Sequence, residues 1–156
     1  MDAIRIRTAT FADVPAVLAL WARGAKGASI TDDPDGVARL IGRDPEALLL
    51  AVERGDGEPE RVVGSVIAGW DGWRCHLYRL AVDPDRRRRG IGSALLRAAE
   101  DRFVALGGRR GDAMVLDANE TAHRIWATAG YAPNEEWTRW TKPLPAAGTA
   151  APATEG

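Results

Sequence analysis

The residue types that bind anions are concentrated in one stretch, Leu80-Ala81-Val82-Asp83-Pro84-Asp85-Arg86-Arg87-Arg88-Arg89-Gly90-Ile91-Gly92-Ser93-Ala94-Leu95-Leu96. It reads as the end of a strand, a turn and the first turn of a helix. Gly90 and Gly92 carry no Cβ, so a ligand can come close to the backbone there. The first N–H groups of a helix have no intrahelical partner, and the dipole adds about half a positive charge at that end. Together these hold phosphate-like anions, and arginine forks suit phosphate oxygens. Cations at a helix N-terminus oppose the dipole unless an anion joins them. The run Arg86 to Arg89 therefore points to a bound anion.

Two nucleotide motifs are excluded. A Walker loop needs a Gly-Lys-Ser/Thr triplet, and the chain has none. The dinucleotide fingerprint needs a third glycine where Leu95 stands, and a parallel βαβ context where this chain reads as a hairpin. What remains, Arg87-x-x-Gly90-x-Gly92 after Ala-Val-Asp-Pro, closely resembles the cofactor motif of the GNAT N-acetyltransferase superfamily. Downstream, Asp117-Ala118-Asn119-Glu120, Ala122, Trp126 and Ala129-Gly130-Tyr131 look like that family's second motif. The resemblance covers about residues 3–143. It implies acetyl-CoA as co-substrate and no metal. It places the pyrophosphate at Arg87 and the backbone of Arg88, Arg89, Gly90, Ile91, Gly92 and Ser93, with Arg86 at the surface, and the pantetheine arm along Leu80, Ala81 and Val82. Asn119 and Trp126 of the second motif join the cofactor set.

Acetyl transfer to an amine needs a donor for the thioester oxygen, which a free N–H of that strand supplies. It also needs a base, because an alkylamine is mostly charged at neutral pH. His76 is the first choice: it lies on the strand leading into Leu80, where the histone-modifying branch of the family carries a glutamate, and an ordinary imidazole near pKa 6.5 suits the task. Asp117 is the alternative, its other reading being an Asx-type cap for the helix near Asn119. A water relay is a third route. For the acid, Trp126 stands where the family often has tyrosine, and indole N–H is not a usable acid. A thiol near pKa 8.5 leaves tolerably without one. Three functional readings stay open: an acetyl-CoA-dependent N-acetyltransferase using direct attack by a primary amine, a transferase of another acyl group, and a CoA-binding regulatory module without catalysis. Asp32, Asp33, Asp35, Glu135 and Glu136 fall on segments that border the family's acceptor site. They predict a small-molecule or peptide amine acceptor that carries positive charge.

These residues require a scaffold, and periodicity supplies it. Ile4 and Ile6 alternate with arginines as a first strand. Thr10 and Asp13 form a near capping box before the helical stripe Val14, Val17, Leu18, Trp21. Gly24 to Gly36 reads as a loop, and Val37, Leu40 and Ile41 as a short helix ending at Gly42. Ala47–Val52, Arg61–Trp70 and Trp73–Val82 read as a meander, with Asp71-Gly72 as a two-residue turn. Ile91, Leu95, Ala99, Phe103 and Leu106 share a helical face that Gly107-Gly108 ends. Ala113–Leu116 reads as a buried strand, Ala122–Ala129 as a helix, and Tyr131–Lys142 as a last strand. There Trp137 and Trp140 would face opposite sides. The order β-α-α-β-β-β-α-β-α-β matches the family fold: α/β, with a mixed, mostly antiparallel central sheet flanked by about four helices.

Bulk properties agree. The chain has 156 residues, 46% hydrophobic and 28% charged, which fits one globular domain over residues 1–143. Residues 144–156, rich in Pro, Ala and Gly, are expected to be a disordered tail. A net charge of −1 argues against nucleic acid as a partner. No apolar run reaches the length of a membrane span. The N-terminus lacks a basic-then-apolar signal, and Cys75 is the only cysteine. A cytoplasmic monomer or homodimer is expected.

Overall fold

A computed structural model describes residues 3–25 and 29–145. Strands β1 (Ala3–Thr8), β2 (Leu48–Arg54), β3 (Arg61–Trp70), β4 (Cys75–Val82) and β5 (Gly111–Ala113) form one sheet in that order. The first four pair antiparallel, and β5 runs parallel to β4. Helices α1 (Val14–Gly24) and α2 (Pro34–Arg43) cover one face, and α3 (Ile91–Leu106) and α4 (Glu120–Thr128) the other. The fold class is the one expected, and among the described residues the order follows the expected one up to α4 but lacks the last strand.

Why β2 is a continuous apolar run now has a reason. Successive side chains of a strand point to opposite faces, and both faces of β2 are covered. Leu48, Leu50 and Val52 pack with Val17, Leu20 and Trp21 of α1 and Val37 and Ile41 of α2. Leu49 and Ala51 pack with Leu95, Leu96, Ala99 and Phe103 of α3.

Three expectations need correction. The turn after β3 is not the two-residue type: Trp70 pairs with Cys75, so four residues, Asp71 to Arg74, make the loop. Asp71 Oδ1 organises them by accepting the N–H groups of Trp73 (2.8 Å) and Arg74 (2.6 Å). The strand expected at Ala113–Leu116 is instead Gly111–Ala113, and it is half-buried. Among the described residues, Tyr131–Lys142 forms no strand, and Trp137 (77% exposed) and Trp140 (92%) both face solvent. β5 pairs with β4 over only Gly111 to Ala113, which gives a further strand a very short template. The expected tail lies, beyond Pro145, outside the described residues. No described helix is long and apolar enough to cross a membrane.

The entry to α1 is fixed by charge. Arg7 grips Asp13 with two hydrogen bonds, 2.8 and 2.9 Å. The Asp13 carboxylate also accepts the Thr10 N–H at 2.8 Å, the expected capping contact. The Arg7 hydrogen bonds hold the Asp13 carboxyl down at about 2. A carboxyl lowered in the folded chain stabilises above its unfolded value, and that contribution is lost as pH falls through the folded one. Asp13→Asn is therefore expected to cost about 1–3 kcal/mol at pH 7. The gap to the parent should narrow as pH drops from about 4 towards about 2. Urea titrations at pH 7 and pH 3 check this; an undiminished gap at pH 3 would assign the loss to geometry rather than charge.

Candidate active site

The chain leaves β4 at Val82 and enters α3 at Ile91 through a turn held by two buried carboxylates. Asp83 (5% exposed) accepts the Asp85 N–H at 3.0 Å and pairs with Arg23 of α1 at 3.3 Å. Glu53 (5% exposed), at the end of β2, takes Arg86 at 2.6 Å and Arg89 at 3.4 Å. Arg86 was expected at the surface. Instead it lies between Glu53 and Asp83, and the Glu53 carboxylate raises its pKa above the ordinary arginine value. Glu53 went unnoticed in the sequence, although a lone acid closing an apolar strand was the available signal. Arg87 and Arg88 are exposed and form no hydrogen bond or ion pair among the described residues. The four arginines thus divide into two that tie the turn down and two left facing out.

Helix α3 begins with the Ala94 N–H donating to the Gly90 carbonyl at 3.0 Å. The N–H groups of Ile91, Gly92 and Ser93 precede that bond and stand at the positive end of the helix. Gly90 has φ +76°, and a Cβ built there would meet nothing within 4 Å. The approach to these N–H groups past Gly90 is open. Gly92 has a different reason to be glycine: a Cβ there would sit 3.2 Å from Ile125 Cγ2, so its small size seats α4 against α3.

Upstream of the turn, β4 and β5 part company. Their ladder runs from Cys75↔Gly111 to Leu77↔Ala113, and Met114 N–H donates to the Leu77 carbonyl at 3.2 Å. Past that point β4 has no partner on this side among the described residues. Leu80, Ala81 and Val82 therefore present an unpaired strand edge that leads into the Gly90 turn. Where the strands separate, β4 carries a bulge: Ile67 pairs with Tyr78, but Ser65 pairs with Ala81. Arg79 in that bulge has φ +49°. Its guanidinium lies 5.5 Å from the Trp21 ring centre and is paired with Asp32, Nε to Oδ1 being 3.2 Å.

The other expected site residues are distributed as follows. His76 lies within the paired part of β4, opposite Asp112 of β5, with Nε2 3.3 Å from Asp71. At about 3.3 Å per residue it stands roughly 13 Å before Leu80 along the strand. Asp117 is exposed in the turn before α4, and the helix cap belongs to Asn119, whose side chain accepts the Ala122 N–H at 3.2 Å. Trp126 is 5% exposed and meets Tyr131 edge-on at 5.1 Å, which places it in the core. Burial, with Glu100 nearby, pushes the Tyr131 phenol up to about 12. Of the acidic residues, Asp32 is occupied by Arg79, and Asp33 caps α2 by accepting the Gly36 N–H at 2.7 Å. Asp35, Glu135 and Glu136 remain exposed. Among the described residues no group of three or more His, Cys, Asp or Glu is placed to hold a metal.

Residues 16–131 match the model of the acetyltransferase (GNAT) family. An acetyltransferase of Pectobacterium atrosepticum is 34% identical over 119 residues, which span 76% of this chain and 81% of that protein. The fold is similar to that in a NatC complex bound to Gag peptide and CoA, with TM-score 0.72, 18% identity, and 83% and 84% of the two chains covered. It is also similar to the diaminobutyrate acetyltransferase of Paenibacillus lautus, solved with L-2,4-diaminobutyric acid and coenzyme A, with TM-score 0.65, 20% identity, and 82% and 75% covered.

Proposed function

The chain belongs to the acetyltransferase (GNAT) family, and from that membership we propose that it binds acetyl-CoA at the Gly90 turn and passes the acetyl group directly to a primary amine. The observation that carries the reading is the continuity of an unpaired strand edge with a helix N-terminus. The unpaired β4 edge at Leu80 to Val82 runs into a helix N-terminus flanked by Arg87 and Arg88, which have no partner among the described residues. An extended amide-bearing chain pairs with such an edge as a further strand would, and a pyrophosphate fits the N–H groups of Ile91, Gly92 and Ser93. Cofactor contacts are thus assigned to the β4 edge, to Arg87 and Arg88, and to the α3 start. Arg89 serves chiefly through Glu53.

Direct transfer is favoured by the state of the one cysteine. Cys75 is 1% exposed within the core, so no accessible thiol stands ready to take the acetyl group first. The amine nitrogen attacks the thioester carbon, the C–S bond breaks, and CoA leaves as thiolate, which needs no strong acid. The proton on the amine goes to His76 through water, given the span between His76 and Leu80. His76 is half-buried beside Asp71 on the face of β4 that also carries Tyr78. The structural neighbours include a complex bound to a Gag peptide and an enzyme solved with its diamino-acid substrate. The three exposed carboxylates Asp35, Glu135 and Glu136 favour a cationic amine here.

Thiol release from acetyl-CoA across an amine panel tests this. The panel holds a short peptide with a free N-terminus, L-2,4-diaminobutyrate, spermidine and kanamycin. Saturable thiol release with at least one amine is expected, along with an acetylated product heavier by one acetyl group. Binding of acetyl-CoA without turnover of any amine would favour a regulatory CoA-binding module instead.

A further inference from the structure

We infer that Ser65 and Trp21 are positioning residues for acetyl transfer, because their buried relay turns the Leu80 N–H towards the free edge of β4. Ser65 is fully buried, and Trp21 is 6% exposed. The Trp21 Nε1–H donates to Ser65 Oγ at 2.8 Å, and Ser65 Oγ contacts the Arg79 carbonyl at 2.9 Å. Indole N–H can only donate and a hydroxyl has one proton, so the direction is fixed: Trp21 to Ser65 to Arg79 C=O.

The phase of the β3–β4 ladder shows what this does. Residues of an antiparallel pair alternate between bonding to their partner and turning their N–H and C=O away from it. Asp83 N–H donates to Val63 C=O at 2.8 Å, so Asp83 faces β3, whereas Leu77 C=O receives the Met114 N–H and faces β5. Counting from both ends, Tyr78 and Ala81 face β3. The extra residue of the bulge puts both Arg79 and Leu80 between them, opposite the single residue Val66. Neither belongs to the β3 ladder. The Arg79 carbonyl has been drawn to Ser65 instead. The peptide that joins Arg79 to Leu80 is planar and trans, so its C=O and N–H point in opposite directions. With the carbonyl anchored on β3, the Leu80 N–H faces away from β3, on the side that β5 has left.

This rests on the reading that the thioester lies along that edge. There the Leu80 N–H is the donor that receives the oxygen's charge as the tetrahedral centre forms, and a preorganised donor of this kind acts mainly on the transition state. Ser65 touches no substrate. It fixes a peptide that does.

The test is thiol release from acetyl-CoA, with water as acceptor and with the best amine of the panel. Ser65→Ala is expected to lower kcat about tenfold or more while KM for acetyl-CoA and the Kd of CoA change less than about twofold. Trp21→Phe removes only the first donor and should give a smaller loss in the same direction. Ser65→Cys keeps the shape with a weak donor and carries the same expectation should Ser65→Ala fail to fold. Folded Ser65 variants that bind CoA normally and keep kcat within threefold would overturn the inference alone. An unmodified protein that does not bind acetyl-CoA would overturn the functional reading and this inference with it.

Discussion

Gly90→Val is expected to abolish the stabilisation of the protein by acetyl-CoA. In the unmodified chain, ligand at 100 times Kd should add about 2.7 kcal/mol by mass action, on the order of 5–10 °C in melting temperature. The substitution puts a branched side chain at the residue that leads into α3, in space that no atom of the folded chain occupies within 4 Å and that a ligand reaching the helix N-terminus would use. Valine at φ +76° is also strained, by about 1–2 kcal/mol. A matched control separates the two effects. Gly57, in the β2–β3 turn, has φ +74° and likewise nothing within 4 Å of a built Cβ, yet belongs to no part of the site. Gly57→Val should lower the basal melting temperature similarly and keep the full acetyl-CoA shift. Equal shifts in the parent and Gly90→Val would remove the Gly90 turn as the cofactor site.

The fold was legible wherever one element's pattern sufficed. Helix α3 could be read from Ile91, Leu95, Ala99 and Phe103 because helical periodicity is local, and all four are buried. β2 could be read from its unbroken apolar run. What stayed hidden depends on partners distant in the chain. Arg86 to Arg89 are four identical letters, and which of them turn inward is decided by Glu53, 33 residues before Arg86. Gly90 and Gly92 look equivalent in the motif, but Ile125 of α4 gives Gly92 a packing role. Ser65 sits in an apolar stretch, and nothing near it announces that the Trp21 indole, 44 residues away, will meet it. Tyr131–Lys142 misled for a related reason: β propensity needs an edge to pair with, and β5 offers only Gly111 to Ala113.

Glu53→Ala should then produce the largest loss of stability of any single change at the site. Glu53 is 5% exposed and faces Arg86, whose side chain is 17% exposed, at 2.6 Å. Removing one member of a buried pair leaves the other charge without compensation, which typically costs about 3–5 kcal/mol. Asp83 remains 3.5 Å from Arg86, so the lower end of that range, about 3 kcal/mol, is expected. Arg86→Ala should cost a similar amount, because it strands the buried carboxylate with only Arg89 at 3.4 Å. The double variant, with neither charge left, should cost less than the two singles added, by about 1–3 kcal/mol. Urea unfolding of the parent, both singles and the double supplies the cycle. The same variants should weaken acetyl-CoA binding, because Glu53 also restrains Arg89 and with it the approach to Gly90. Strictly additive singles, or a Glu53→Ala protein within about 0.5 kcal/mol of the parent, would mean that the turn holds its shape without the pair. The division of the four arginines into two that anchor the turn and two that face out would then have to be abandoned.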